Sequence, residues 1–300
     1  MNRPKQQHIV PKVYLRNFCD SNNKNQIYFF DKINKKTELT NIDNVAKEKG
    51  FYTDLSKEDN EYYEKFYSTS VEPKLGHLLS HILIAATMYY NDAPLISDDQ
   101  RLLLSKMLVF QMLRTRNARE LLREKAKFVA DRITTEVLKM LISINRKDLL
   151  SVVEKYRTLD DEVFRELAFP ATIDESRLKK YCSLIDAMIC VFYDNKTDID
   201  FITSDNPVII KRLSAAAPKD IGIGVAGLGN IDCILAYPIN PRLAAVLFHR
   251  APLIDSAFSE YENKRHPIVQ SEIVQTFNRW HLQQATRQVY SRTALCIEKF

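Results

Sequence analysis

Residues 102–113, Leu-Leu-Leu-Ser-Lys-Met-Leu-Val-Phe-Gln-Met-Leu, are apolar on nearly every side of a helical projection. A helix that is apolar all round is typical of a protein interior, whereas a surface helix keeps one polar face. The preceding Ser97-Asp-Asp-Gln100 has the spacing of a capping box, so we predict that a long helical region opens there and runs to about Arg146. The rest of the fold has to cover this buried helix.

Gln111 and Arg114 lie three residues apart at the end of the apolar stretch and continue its stripe. An unpaired arginine in a buried stripe would be very costly. We therefore predict a carboxylate partner for Arg114, and the candidates are Glu72 and Asp205. Two interpretations stay open, namely a structural ion pair and a functional site in which Arg114 is the cation.

Short β-type runs stand at both ends of the chain, with helical segments between them. Gln26–Asp31 and Thr37–Thr40 predict a hairpin, and further β-type runs follow between residues 189 and 248. Strands and helices do not alternate, which favours an α+β fold. We predict a single domain over residues 1–300, in which a central long-helix bundle packs against a mainly antiparallel sheet built from the N-terminal hairpin and C-terminal strands. Its predicted parts are a helical middle (58–190), a mainly β part (191–250) and a C-terminal helix (271–291).

The composition is typical of a folded soluble protein, with 45% hydrophobic and 27% charged residues among 300. No apolar run reaches the ~18–20 residues of a spanning helix. The N-terminus lacks the apolar segment of a secretory signal, and the five scattered cysteines form no C-x-x-C pair. These features predict a cytoplasmic protein with reduced thiols and no membrane partner.

The positive charge of the chain is concentrated in one segment. The net charge is +5, and residues 98–147 contain 12 basic and 6 acidic residues, a local excess of +6. Such asymmetry indicates a polyanionic partner such as nucleic acid. The alternative is a solvated helix face with i,i+4 ion pairs.

Residues 201–208, Phe-Ile-Thr-Ser-Asp-Asn-Pro-Val, predict a strand that ends in three small polar side chains, Ser204, Asp205 and Asn206. This pattern suits a site at a strand end, although the same residues are also ordinary turn formers. Near the N-terminus, His8 is a candidate base or metal ligand, or only the anchor of an N-terminal arm.

Several separated motifs give the chain a family resemblance. They are His8-x-x-Pro11-x-x-Tyr14-Leu15, Phe51-Tyr52, Gln111-x-x-Arg114-Thr115, the string at 201–208 and Tyr237-Pro-Ile-Asn-Pro241. In this order they resemble the uncharacterised microbial family called domain of unknown function 4238, between His8 and Ser291. The resemblance implies a single-domain cytosolic protein, sometimes found in mobile or defence-type genomic settings, and it implies no particular reaction.

The motif residues come from distant segments and would form one polar pocket if they converge. We predict that His8, Arg114 and Asp205 are catalytic. Arg114 would hold a phosphoryl charge, Asp205 would act as base or bind a divalent metal such as Mg²⁺, and His8 would shuttle a proton. The predicted substrate-binding residues are Tyr14, Gln111, Arg116, Ser204 and Asn206.

This set of groups predicts a hydrolase or nuclease that acts on a nucleic acid or nucleotide, as a toxin or phage-defence effector. The alternative is a non-catalytic sensor that binds a small anionic ligand or a partner protein. A third interpretation is a polar structural network that fixes the N-terminal arm against the helices and the sheet.

Overall fold

The computed structural model of the chain describes residues 6–20, 22–53, 59, 61–88, 92–154, 157, 170, 172–213 and 225–297. Within these ranges, no helix is both long enough and apolar enough to cross a membrane.

Most of the helices lie between Tyr62 and Asp186. The helices are α1 (Lys12–Leu15), α2 (Tyr62–Phe66), α3 (Glu72–Met88), α4 (Asp98–Leu113), α5 (Arg116–Ser143), α6 (Leu150–Glu154), α7 (Glu175–Asp186), α8 (Val225–Leu228), α9 (Pro252–Phe258) and α10 (Ser271–Gln284). One π-turn, Tyr67–Val71, joins α2 to α3. Ser97 caps α4 in the predicted capping box, so this prediction is confirmed.

The predicted helical region from Ser97 to Arg146 is broken after Leu113. Thr115 begins α5 because its hydroxyl accepts the backbone N–H of Ala118, and Arg114 lies in the break. The two helices differ in burial. Most residues of α4 from Leu104 onward are buried, as the apolar run predicts, whereas α5 buries only three side chains, Ala118, Thr134 and Leu141.

The strands within the described ranges form three sheets. They are β1 (Gln6–His8), β2 (Gln26–Asp31), β3 (Lys36–Asn41), β4 (Lys47–Lys49), β5 (Met188–Asn195), β6 (Thr203–Ser204), β7 (Ile209–Arg212), β8 (Cys233–Asn240), β9 (Leu243–His249), β10 (Arg265–Ile268) and β11 (Gln288–Ser291). A four-stranded antiparallel sheet has the order β3-β2-β11-β6, and a five-stranded sheet has the order β10-β5-β9-β8-β7. Only the β10–β5 pair of that larger sheet is parallel, and β1 pairs with β4.

The five-stranded sheet is buried on both faces. Alternate residues of β5 point to opposite sides, so Cys190 and Phe192 join the main core with α3, α4 and α7, while Val191 joins a second core. In that second core, α10 covers the other face through Val274 and Phe277. The α+β fold with helices against mainly antiparallel strands is therefore confirmed.

Two details differ from the sequence prediction. The predicted single sheet is divided in two, because the hairpin β2–β3 pairs with β11 and does not reach the larger sheet. The C-terminal helix ends at Gln284 rather than at Ser291. Its last predicted residues form β11, where Val289 and Tyr290 lie between β2 and β6 and are completely buried.

Candidate functional site

Arg114 lies in the break between α4 and α5, with only 3% of its surface exposed. Its Nη2 donates to Glu72 Oε1 at 2.9 Å and to the backbone oxygen of His8 at 2.8 Å. Its Nε donates to the hydroxyl of Tyr52 at 2.9 Å. The predicted carboxylate partner therefore exists, and it is Glu72 rather than Asp205.

Two tyrosine rings enclose the guanidinium of Arg114. Its central carbon lies 4.7 Å from the ring centre of Tyr67 and 5.6 Å from that of Tyr52, distances that suit a cation–π interaction. Burial lowers the pKa of Arg114, but Tyr52 and Glu72 outweigh it and raise this pKa above its ordinary value. Burial also raises the pKa of Tyr52. The arginine is therefore a permanent buried cation and Tyr52 a neutral phenol.

The structure brings His8 to Arg114 through the backbone of β1. The Nε2 atom of the His8 imidazole lies 3.4 Å from the carbonyl oxygen of Ile42. Burial is the main cause that lowers the pKa of His8, although the charge of Glu72 opposes this shift. His8 thus anchors the N-terminal strand at Arg114, and its side chain stays close enough to Glu72 to be influenced by that carboxylate.

A small enclosed pocket lies beside Arg114. It is lined by Phe51, Tyr52, Tyr67, Leu113, Arg114, Arg119, Leu122 and Thr172. We call it the arginine pocket, because two guanidinium groups and no carboxylate are among these residues. Its free volume is about 10 Å³, which is about the room that one water molecule needs.

The second arginine of this pocket is held by Phe51. The Nη2 of Arg119 donates to the carbonyl oxygen of Phe51 at 2.6 Å, and its guanidinium lies 3.5 Å from the ring centre. In contrast, the buried Nη1 of Arg114 has no hydrogen-bond partner within the described part of the chain. A buried donor without an acceptor is unfavourable, so this atom is equipped to bind an acceptor group.

An open groove of about 350 Å³ lies on the other side of Glu72. It is lined by Val13, Ser68, Glu72, Pro73, Gly76, His77 and Ser80. At one side of the groove α1 packs tightly on α3, since a Cβ atom on Gly76 would stand 2.8 Å from Val13 Cγ2. Glu72 therefore separates the open groove from buried Arg114 and contacts both.

Asp205 does not join this cluster through a direct bond. It follows β6, is 6% exposed, and its carboxylate accepts the backbone N–H groups of Thr286, Arg287 and Gln288 at 2.7–3.0 Å. Burial raises the pKa of the Asp205 carboxyl, although these N–H groups oppose the shift. The contacts fix the segment between α10 and β11. The catalytic and metal-binding roles of Asp205 stay predictions.

Ser204 and Asn206 belong to the same structural arrangement. The Ser204 hydroxyl donates to the carbonyl oxygen of Asn206, and the Asn206 amide donates to that of Gln284 at 3.4 Å. His281 Nδ1 lies 3.4 Å from Ser204 Oγ, within hydrogen-bond distance of the hydroxyl. All three side chains are buried, and the predicted roles of Ser204 and Asn206 in substrate binding stay predictions.

The remaining predicted residues lie around Arg114 in different ways. The Tyr14 hydroxyl donates to the carbonyl oxygen of Pro238 at 2.8 Å and lies 2.7 Å from Thr203 Oγ1, so it joins α1 to two strands. Gln111 is buried on α4, and its Nε2 has no partner among the described residues. Arg116 is half-buried, and its Nε donates to Glu48 Oε2 at 2.6 Å. Their predicted role in substrate binding is not tested by these contacts.

Within the described ranges, no three His, Cys, Asp or Glu side chains come together in a way that could hold a metal ion. The sequence alone indicates no role for Tyr67 or Thr172, and it places Arg119 only on a charged helix face. In the continuous helix that the sequence predicts, Arg114 and Arg119 would point about 140° apart, and the break between α4 and α5 brings both to one pocket.

The buried imidazole of His281 predicts a loss of stability in acid. Burial lowers its pKa to about 3, whereas its ordinary value is 6.5. Below pH 6.5 the unfolded chain therefore binds a proton at His281, whereas the folded chain does not. As the pH falls, this residue lowers the free energy of unfolding by about 1.4 kcal/mol per pH unit. Urea unfolding between pH 7 and pH 5 measures the slope, which we expect to be shallower in His281→Gln. Equal slopes in both proteins would contradict this account.

Comparison with known proteins gives a family but no activity. Neither the curated proteins nor the solved structures contain a match. The model of the family described as a protein of unknown function (DUF4238) matches residues 6–294, which include Arg114, Glu72 and the Asp205 segment. Because this match covers nearly the whole chain, the protein belongs to the DUF4238 family.

Proposed function

We propose that this protein is a sensor that binds a small phosphate-bearing anion, such as a nucleotide, in the arginine pocket. The observation that carries the proposal is the buried Arg114, whose Nη1 lacks a partner and which shares a pocket with Arg119. Both guanidinium groups line the same small pocket, so two positive charges are available to an anion there. Only one carboxylate, that of Glu72, is hydrogen-bonded to Arg114 among the described residues.

The chemistry of the lining supports a phosphate rather than another ligand. Guanidinium groups bind phosphate oxygens through paired N–H donors, and such bonds are stronger than neutral ones. The rings of Phe51, Tyr52 and Tyr67 keep water away from these donors and thereby strengthen the attraction. The hydroxyl of Thr172 adds a further polar group to the lining.

The ligand has to open the pocket, because the present free volume admits about one water molecule. Arg119 would have to release its bond to the carbonyl oxygen of Phe51 to admit the ligand, and it is the more exposed of the two arginines, in the first turn of α5. Arg114 is fixed by four groups, namely Glu72, His8, Tyr52 and Tyr67. In this proposal Arg114 is the rigid part of the site and Arg119 closes over the bound anion.

The test is a binding titration of inorganic phosphate and of ADP by isothermal calorimetry. We expect Arg119→Gln to weaken binding at least tenfold, because a charge-assisted bond to phosphate contributes about 1.5–3 kcal/mol. Lys127→Gln is the matched control, since it removes one positive charge from an exposed position of the same helix. Equal affinities in the two variants, or no binding by the wild type, would contradict the proposal.

Hydrolysis of a nucleic acid or nucleotide is the second candidate function. One observation favours it: Glu72 and His77 line an open groove of about 350 Å³ next to Arg114, a volume in the range of ligand sites. Incubation of the purified protein with pooled RNA, DNA and nucleotides, with and without Mg²⁺ or Mn²⁺, tests it directly. Cleavage that Glu72→Gln abolishes in the folded protein would favour hydrolysis over sensing.

A further inference from the structure

The C-terminal half of α5 carries a row of exposed apolar side chains. Val129, Ile133, Met140 and Ile144 are 52–59% exposed, and Ile144 is the residue that caps the helix end. At 100° per residue these four positions lie within a narrow stripe on one side of the helix. We call these four residues the α5 stripe.

The side of α5 that packs against the protein is a different one. Thr134 and Leu141 are its buried residues in this half. Arg157, beyond α6, binds to Asp131 at 3.3 Å and to the Thr135 hydroxyl at 3.4 Å. Contiguous exposed apolar side chains on a soluble domain usually mark an interaction surface.

The spacing within the α5 stripe indicates a helix as the occupant. The intervals between successive members are four, seven and four residues, which approximate the 3–4 repeat of helices that pack side by side, with Glu136 at the position between Ile133 and Met140. These intervals are also palindromic about the point between Glu136 and Val137. An antiparallel second copy would therefore place its Met140 against Ile133 and its Ile144 against Val129, and each stripe would cover the other.

The charge of this segment also favours a second copy. Residues 129–144 contain two acidic and two basic side chains, Asp131, Glu136, Arg132 and Lys139. The segment is therefore neutral, although the chain from residue 98 to 147 is strongly basic. Nucleic acid and anionic membranes bind to basic surfaces, whereas two neutral stripes approach each other without net repulsion.

From the exposure, the palindromic spacing and the neutral charge of the α5 stripe, we propose that two copies of this chain form a dimer through antiparallel packing of α5. The two-fold axis passes between Glu136 and Val137. Within one copy, Glu136 binds Lys139 at 2.9 Å. At the axis of the dimer, Glu136 also comes close to Lys139 of the second copy. An isologous contact of this kind closes after two subunits and leaves no open surface for further growth.

Sedimentation of the full chain tests the proposal. We expect a mass of twice 34.8 kDa for the wild type at micromolar concentration. Ile133→Glu should raise the dimer dissociation constant at least about 100-fold, because two unpaired carboxylates would be buried. Phe128→Glu is the matched control: Phe128 is 67% exposed on the same helix but outside the stripe, and this variant should remain dimeric. A monomeric wild type, or equal dissociation of both variants, would overturn the proposal.

Cross-linking tests the antiparallel arrangement separately. Glu136→Cys lies at the axis and should form a disulfide dimer on mild oxidation, in excess of the wild type with its five native cysteines. Lys125→Cys should not, since it lies about 17 Å along the helix from the axis. Cross-linking of both variants would indicate a parallel pair and contradict the geometry. A monomer that binds anionic lipid vesicles through Ile133 would also overturn the proposal.

Discussion

Replacing Asp205 by alanine is expected to lower the free energy of unfolding by about 3–5 kcal/mol, because three buried N–H donors lose their acceptor. Asp205→Asn should lower the free energy of unfolding by less, since one amide oxygen remains as an acceptor. Urea unfolding at pH 7 measures both changes. The segment between α10 and β11 should be the first to exchange its amide hydrogens in both variants.

A suitable comparison is Asp148→Ala, which removes an exposed carboxylate whose ion-pair partner among the described residues is Arg146. Such surface pairs contribute about 0–1 kcal/mol, so this variant should be nearly as stable as the wild type. If Asp205→Ala were as stable as Asp148→Ala, the three backbone hydrogen bonds of Asp205 would contribute little to the stability of the fold. The predicted catalytic role would then gain support.

Replacing Arg114 by methionine should have an effect of similar size, about 3–5 kcal/mol, because breaking a buried ion pair leaves its partner uncompensated. Glu72, the carbonyl oxygen of His8 and the hydroxyl of Tyr52 would all lose a donor. Denaturant unfolding measures the loss. Calorimetry with phosphate on the folded fraction should show no binding.

The double variant Arg114→Met with Glu72→Gln separates the ion pair from the packing of the guanidinium. Because the two residues are in direct contact, their effects should not add, and the double variant should recover part of the stability that Arg114→Met loses. Additive losses would show that Glu72 and Arg114 stabilise the fold independently of each other.

The sequence was sufficient for features that depend on local pattern. The apolar run 102–113 predicts a buried helix, the Ser97 capping box predicts its start, and both are confirmed. The hairpin formed by β2 and β3 is confirmed for the same reason, since a polar turn separates two β-type runs. The charge on Arg114 required a carboxylate, and Glu72 was one of two candidates.

The partner of Asp205 could not be found in this way. Its carboxylate binds backbone N–H groups more than eighty residues away, and backbone donors have no signature in a sequence. The same contacts lie where the C-terminal helix ends and β11 begins. Helical periodicity alone predicted this helix to continue too far, to residue 291. The arginine pocket was missed because Tyr67 and Thr172 meet Arg119 only through the tertiary fold.

The π-turn at Tyr67–Val71 determines what surrounds Arg114. In an α-helix, residues five apart point about 140° away from each other. In a π-turn, whose hydrogen bonds join residues i and i+5, the same interval closes about one turn. Tyr67 and Glu72 are five apart and both contact Arg114. A regular α-helix over the same five-residue interval would keep both side chains yet point them apart, so the π-turn is as much a part of the site as the residues themselves.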